Sequence, residues 1–115
     1  MATNKITIRE HTTSDIIMRL LSNDKPIDLS GVYAVRLDLI DNLKKVYRYS
    51  TVDDPAYLSI TNASDGQITL TPPSSSVFEY QRNPYKVYAW VFETANKKYS
   101  VPEKGYSLIE LEKEY

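Results

Sequence analysis

The sequence predicts an all-β fold: an immunoglobulin-like antiparallel β-sandwich of about seven to nine short strands, with one short helical turn near residues 73–80. Three observations predict it. Apolar and polar residues alternate with a period of two in several short runs, the spacing of strands with one buried face. Turn-forming clusters separate those runs at close intervals. Finally, 10 tyrosines stand against 3 glycines, a composition that favours half-buried sheets and disfavours phosphate-cradling loops and flexible linkers.

At 115 residues, the chain is expected to form one domain, residues 1–115, with a single core. A domain of this size buries roughly two-thirds of its unfolded surface, enough to fold without covalent staples. There is no cysteine, so disulfides and thiolate metal sites are excluded, in keeping with a reducing compartment. The formal net charge of −1 argues against a global nucleic-acid footprint. No run approaches the ~20 apolar residues of a membrane-spanning helix.

Lys5-Ile6-Thr7-Ile8-Arg9 alternates as a strand with one wet face. In residues 15–21, Ile16, Met18 and Leu20 share a strand face; Ile17, Leu20 and Leu21 also fit a helical stripe, but the short run and its turn-rich flanks favour the strand. Lys25-Pro26-Ile27-Asp28-Leu29-Ser30-Gly31 then forms a corner between layers. Pro26 presets one backbone angle, Asp28 and Ser30 bond back onto the chain, and Gly31 permits a positive φ. In residues 32–40, Tyr33, Val35, Leu37 and Leu39 alternate with Ala34, Arg36 and Asp38. Asp41-Asn42 is the turn of a hairpin whose return strand is residues 45–51. Short strands are expected at residues 58–61 and 67–71, around the turn Asn62-Ala63-Ser64-Asp65-Gly66.

Pro72-Pro73-Ser74-Ser75-Ser76 opens the expected helical turn, because proline suits a first turn and serine caps its free N–H groups. Val77, Phe78 and Tyr80 are expected to plug one end of the core. Residues 84–94 form the most apolar strand, with Tyr85, Val87, Ala89 and Val91 on one face and Tyr88, Trp90 and Phe92 on the other. One face is expected to pack the core and the other to meet a neighbour. Residues 98–101 and 106–111 read as one last strand, interrupted at residues 102–105.

Chemistry-bearing patterns are sparse. His11, the one histidine, lies in a polar loop without a Gly-x-Ser-x-Gly nucleophile motif, so no catalytic relay is assigned. Asp53-Asp54, Asp24 and Asp28 are explained by turn chemistry, and no cation loop is complete, so no metal or cofactor is expected. Asn62-Ala63-Ser64 matches a glycosylation sequon by turn composition alone. Lys44, Lys45 and Arg48 interleave with Tyr47 and Tyr49, as in single-strand nucleic-acid binders, but the balanced charge disfavours that reading. The aromatics Tyr47, Tyr49, Tyr88 and Trp90 are the candidate interface residues, since tyrosine and tryptophan anchor protein contacts. A carbohydrate platform built from the same rings is the alternative.

The order of these pieces resembles a known family. Lys5-Ile6-Thr7-Ile8 is followed by Asn23-Asp24-Lys25-Pro26-Ile27-Asp28-Leu29-Ser30-Gly31 and the strand from Val32. Gly66-Gln67-Ile68-Thr69-Leu70, a Pro/Ser turn, the strand of residues 85–92 and Lys98-Tyr99-Ser100-Val101 complete the set. Over nearly the whole chain this is similar to the N-terminal domain of phage baseplate upper proteins, an immunoglobulin-like module of siphophage tails. It departs from that family in carrying Arg82-Asn83-Pro84 where a glycine-containing turn is usual. The resemblance implies a non-enzymatic virion structural protein, made in the bacterial host cytoplasm. It would dock on other tail or baseplate proteins, support the display of adhesion proteins and form homo-oligomers in the particle; composition and charge, separately, point to no membrane partner and disfavour nucleic acid.

Overall fold

The computed structural model describes residues 2–102 and 105–114. Its strands are β1 (Ala2–Arg9), β2 (Ile16–Arg19), β3 (Leu21–Ser22), β4 (Lys25–Pro26), β5 (Ala34–Ile40), β6 (Val46–Ser50), β7 (Leu58–Asn62), β8 (Gln67–Leu70), β9 (Tyr85–Thr94), β10 (Lys97–Val101) and β11 (Tyr106–Glu112). They form a large sheet in the order β1-β11-β9-β5-β6, with β10 also on β9, and a three-stranded sheet β2-β8-β7. β3 and β4 make a separate two-stranded ribbon. All pairs are antiparallel except β1 on β11. This is the pairing order of an immunoglobulin-like sandwich, with β9 and β5 at the centre of one sheet and β8 at the centre of the other.

The period-two segments decide which faces meet. Ile16, Met18 and Leu20 are buried while Ile17 is 64% exposed, as a strand requires and a helical stripe forbids. In the large sheet, Val35, Leu37 and Leu39 pair with Val91, Ala89 and Val87, respectively, and all six point into the sandwich. From the other side come Leu58, Ile68 and Leu70, each at most 1% exposed. β10 and β11 pair with successive halves of β9. The expected interruption at residues 102–105 falls partly outside the described residues.

Non-strand segments seal the ends of the core. Leu29, 2% exposed, is the anchor of the 25–31 corner. The backbone around it bonds to segments that flank the three-stranded sheet: Ile27 N–H donates to the carbonyl of Leu20, just after β2 (2.9 Å), and Leu29 N–H to that of Ala63, between β7 and β8 (2.8 Å). Ser30 N–H donates to Asp28 Oδ1 at 2.9 Å, which holds the Asp28 carboxyl below its ordinary pKa. Gly31 sits at φ +77° with open space around it. Pro26 lies in β4, opposite Leu21.

No helix forms over residues 72–79, where the sequence predicts the helical turn; 3-10 turns fall instead at Ala63–Asp65 and at Tyr80–Arg82, which shares only Tyr80 with the expected segment. Bends at residues 73–74 and 77–78 flank a turn at residues 75–76, where Val77 N–H donates to the Ser74 carbonyl at 3.4 Å. Val77 and Phe78 do enter the core, at 5% and 0% exposure, whereas Tyr80 stays 42% exposed. Phe78 meets Tyr85 edge to face with ring centroids 5.2 Å apart. The buried Tyr85 hydroxyl donates to the Val77 carbonyl (2.8 Å) and accepts from Glu79 N–H (3.1 Å). A tyrosine at the start of this strand bonded to the connection before it is the tyrosine corner of immunoglobulin-like sandwiches.

Candidate interaction surface

The inner face of the large sheet is covered; its outer face is not. Because side chains alternate along a strand, the same registers that bury Val87, Ala89 and Val91 send Lys86, Tyr88, Trp90 and Phe92 outward. Opposite them on β5 stand Ile40, Asp38, Arg36 and Ala34, and on β10 Lys98 lies across from Phe92. β6 adds Arg48, paired with Asp38. The result is an aromatic row flanked by Arg36 of β5 and Lys98 of β10, with Arg48 one strand further out beside Asp38.

The cations lie over the rings. The Lys98 ammonium is 4.7 Å from the Trp90 ring centroid and 5.6 Å from that of Phe92. The Arg36 guanidinium approaches the same two rings at 5.9 and 5.6 Å. Lower on the sheet, Lys86 lies 4.8 Å from the centre of Tyr106, which in turn is 6.3 Å from Tyr88. Each contact joins a positive group to the negative face of a ring.

Asp38 is the carboxylate that pairs with Arg36 and Arg48, and it is 6% exposed. Arg48 Nε donates to its Oδ1 at 2.8 Å, with Nη2 3.3 Å from Oδ2. Asp38 thereby raises the Arg48 pKa further, through the hydrogen bond first and the charge second. Arg36 Nη2 also reaches Asp38 Oδ2 at 3.3 Å. Its Nε is 3.2 Å from Oδ1, close enough for an ion pair but too poorly aligned for a hydrogen bond. Around the aromatic row, Arg36, Arg48, Lys86 and Lys98 thus exceed Asp38 by three among the described residues, while at the β1 edge of the same face Lys5 and Arg9 pair with Glu110 and Glu112; the chain as a whole has a net charge of −1.

The four aromatics singled out from the sequence do not share a surface. Tyr88 and Trp90 lie on the outer face. Tyr47 and Tyr49 pair with Leu39 and Leu37, and so point inward. Tyr49 is 9% exposed and belongs to the core, with its hydroxyl pKa raised by burial. Tyr47 donates its hydroxyl to Asp41 Oδ2 at 3.1 Å and packs 6.0 Å from Tyr85. Burial first, and Asp41 second, push its pKa to about 12.

Asp41 is a structural hub that turn statistics do not disclose. Its side chain is fully buried and accepts from Leu43 N–H (2.9 Å), Lys45 N–H (3.0 Å), Tyr47 and Arg82 Nη1 (3.0 Å). Burial alone would raise its pKa; these donors outweigh it and hold the carboxyl below its ordinary value. Asn42 Nδ2 adds a bond to the Asn83 carbonyl at 2.8 Å. This clasp fixes the β5–β6 turn to the entry of β9.

Elsewhere the sheets part beside β2, leaving a cleft of about 750 Å³ lined by Ile6, Met18, Leu20, Ile27, Tyr99 and Val101, among others. His11 lies on the surface between Glu10 (3.6 Å) and Glu114 (3.2 Å), and Lys44 and Lys45 are exposed in the β5–β6 turn. No group of three or more His, Cys, Asp or Glu that could hold a metal ion occurs among the described residues. Comparison with protein-family models and with curated proteins gave no match.

Chemically, the outer face is suited to binding rather than to covalent reaction. A sugar or nucleobase platform needs open ring faces on which to stack. Both cations placed over Trp90 compete for that position. What remains on offer is a set of charged tips above an aromatic floor, the composition of a protein contact rich in tryptophan, tyrosine and arginine.

Proposed function

We propose that this domain is a non-enzymatic structural module of a phage or prophage tail or baseplate. It docks on other tail proteins through the outer face of the large sheet and supports the display of adhesion proteins. The observation that carries the reading is that uncovered face, where Tyr88, Trp90 and Phe92 stand beside Arg36 and Lys98. The whole-chain order of strands and turns supports it as well, through the resemblance to baseplate upper proteins. In the particle the domain is repeated as a homo-oligomer, and the chain is made in the bacterial host cytoplasm. Light scattering on the purified chain, alone and mixed with tail proteins, tests this. A new species of higher mass is expected; a chain that stays monomeric with every tail component tried counts against it.

A further inference from the structure

We infer that the outer face of the large sheet binds an acidic, extended segment of a partner protein. The inference rests on the assembly reading and supplies the chemistry of its partner. Charge complementarity carries it: towards the β1 edge Glu110 and Glu112 are matched by Lys5 and Arg9, while around the aromatic row Arg36, Arg48, Lys86 and Lys98 exceed the carboxylate of Asp38 by three among the described residues, on a chain of net charge −1.

The arrangement favours carboxylates over other polyanions. Single-stranded nucleic acid binds sheets by laying bases on bare aromatic faces. Here Lys98 and Arg36 already occupy the approach to Trp90, at 4.7 and 5.9 Å. A carboxylate meets these cations from above without displacing them, and each cation keeps its ring contact while gaining an ion pair. The ring beneath holds the ammonium in place, which reduces the side-chain entropy lost when the pair forms.

The spacing sets the register. Lys86 and Trp90 lie four residues apart on β9, about 13 Å along the strand, and Lys98 sits over Trp90. An extended acidic segment running along β9 therefore reaches Lys86 and Lys98 with carboxylates about four residues apart. Arg48, exposed on β6 beyond β5, is open to a third carboxylate.

Trp90 is the only tryptophan, so its emission reports directly on this face. The test titrates the intact chain with a glutamate octapeptide at low ionic strength, following Trp90 fluorescence, with a thymidine octanucleotide in parallel. A saturable change with the peptide is expected, weaker with added salt. Lys86→Gln and Lys98→Gln should each weaken it by about two- to fivefold, with circular dichroism confirming an unchanged fold. The inference is overturned by no response at millimolar peptide, by tighter binding of the oligonucleotide, or by indifference to both lysine changes. Should the peptide fail while tail proteins still associate with the chain, this inference falls and the assembly reading stands. Should the peptide bind while tail proteins do not, the acidic ligand stands and the assembly reading falls.

Discussion

Replacing Asp41 by alanine tests the clasp that ties the β5–β6 turn to β9. The change strands two backbone N–H groups and the Tyr47 hydroxyl, each within 3.1 Å of the lost carboxylate. Each broken bond costs about 1 kcal/mol net when its donor stays out of water. Arg82 loses its buried partner too, but it is 28% exposed and keeps Glu79 at 3.4 Å. Its share therefore falls well short of the 3–5 kcal/mol typical of a fully buried broken pair. The three bonds alone come to about 3 kcal/mol, before the Arg82 share is added, a large fraction of the roughly 5–15 kcal/mol that holds a domain folded. In urea, with a slope near 2 kcal/mol/M, the midpoint should drop by about 1.5 M at unchanged slope.

The companion variant Tyr47→Phe removes one of the same bonds and should cost about 1 kcal/mol. Because the two residues share that bond, the double variant should cost less than the sum of the single changes. The pH dependence gives an independent check. Asp41 is held below its ordinary value of 3.8, so its stabilisation is present above that pH and fades as the pH falls through the folded-state value. The gap between the native chain and Asp41→Ala should narrow in acid. A cost below about 1 kcal/mol at neutral pH, or strict additivity with Tyr47→Phe, would refute the clasp.

Other expectations are open to similar measurements. Gly66→Ala should cost about 3 kcal/mol or more, because an added Cβ meets the Leu20 and Ile27 carbonyl oxygens at 2.7 and 2.8 Å and φ is +67°. Gly31→Ala, at φ +77° in open space, should cost only about 1 kcal/mol; equal losses in thermal denaturation would contradict the steric reading. Tyr85→Phe removes the bonds to Val77 and Glu79 and should cost about 2 kcal/mol, read as a lowered urea midpoint. At high pH, Tyr47, raised from 10 to about 12, favours the fold fully below pH 10 and loses that contribution as the pH rises towards 12. Phenolate absorbance should show Asp41→Asn moving that ionisation back towards 10.

Period-two runs made much of the fold legible. Ile16, Met18 and Leu20 fixed one strand face, and Tyr85, Val87, Ala89 and Val91 another, because a half-buried strand leaves no other pattern. Leu29 escaped notice: one leucine among turn residues carries no period, and its burial depends on contacts with distant segments. Asp41 escaped for a related reason. In sequence it is one more turn aspartate, and its partner Arg82 lies 41 residues on.

The candidate surface was half legible. Tyr88, Trp90 and Phe92 share a face by simple alternation. The cations over them come from β5 and β10, and only cross-strand register places Arg36 and Lys98 there. In residues 46–50, by contrast, both faces carry aromatic or charged groups. Nothing local decides which side Tyr47 and Tyr49 take; the pairing with Leu39 and Leu37 decides it.

The parallel pairing of β1 with β11 has a mechanical consequence. From Ala2 opposite Tyr106 to Arg9 opposite Glu112, both strands run the same way, so the chain enters at one pole of the sheet and leaves at the other, roughly 25 Å away. A tug on the two ends slides these strands past each other. The hydrogen bonds between them are then loaded together in shear, rather than peeled one at a time as in an antiparallel hairpin pulled at its open end.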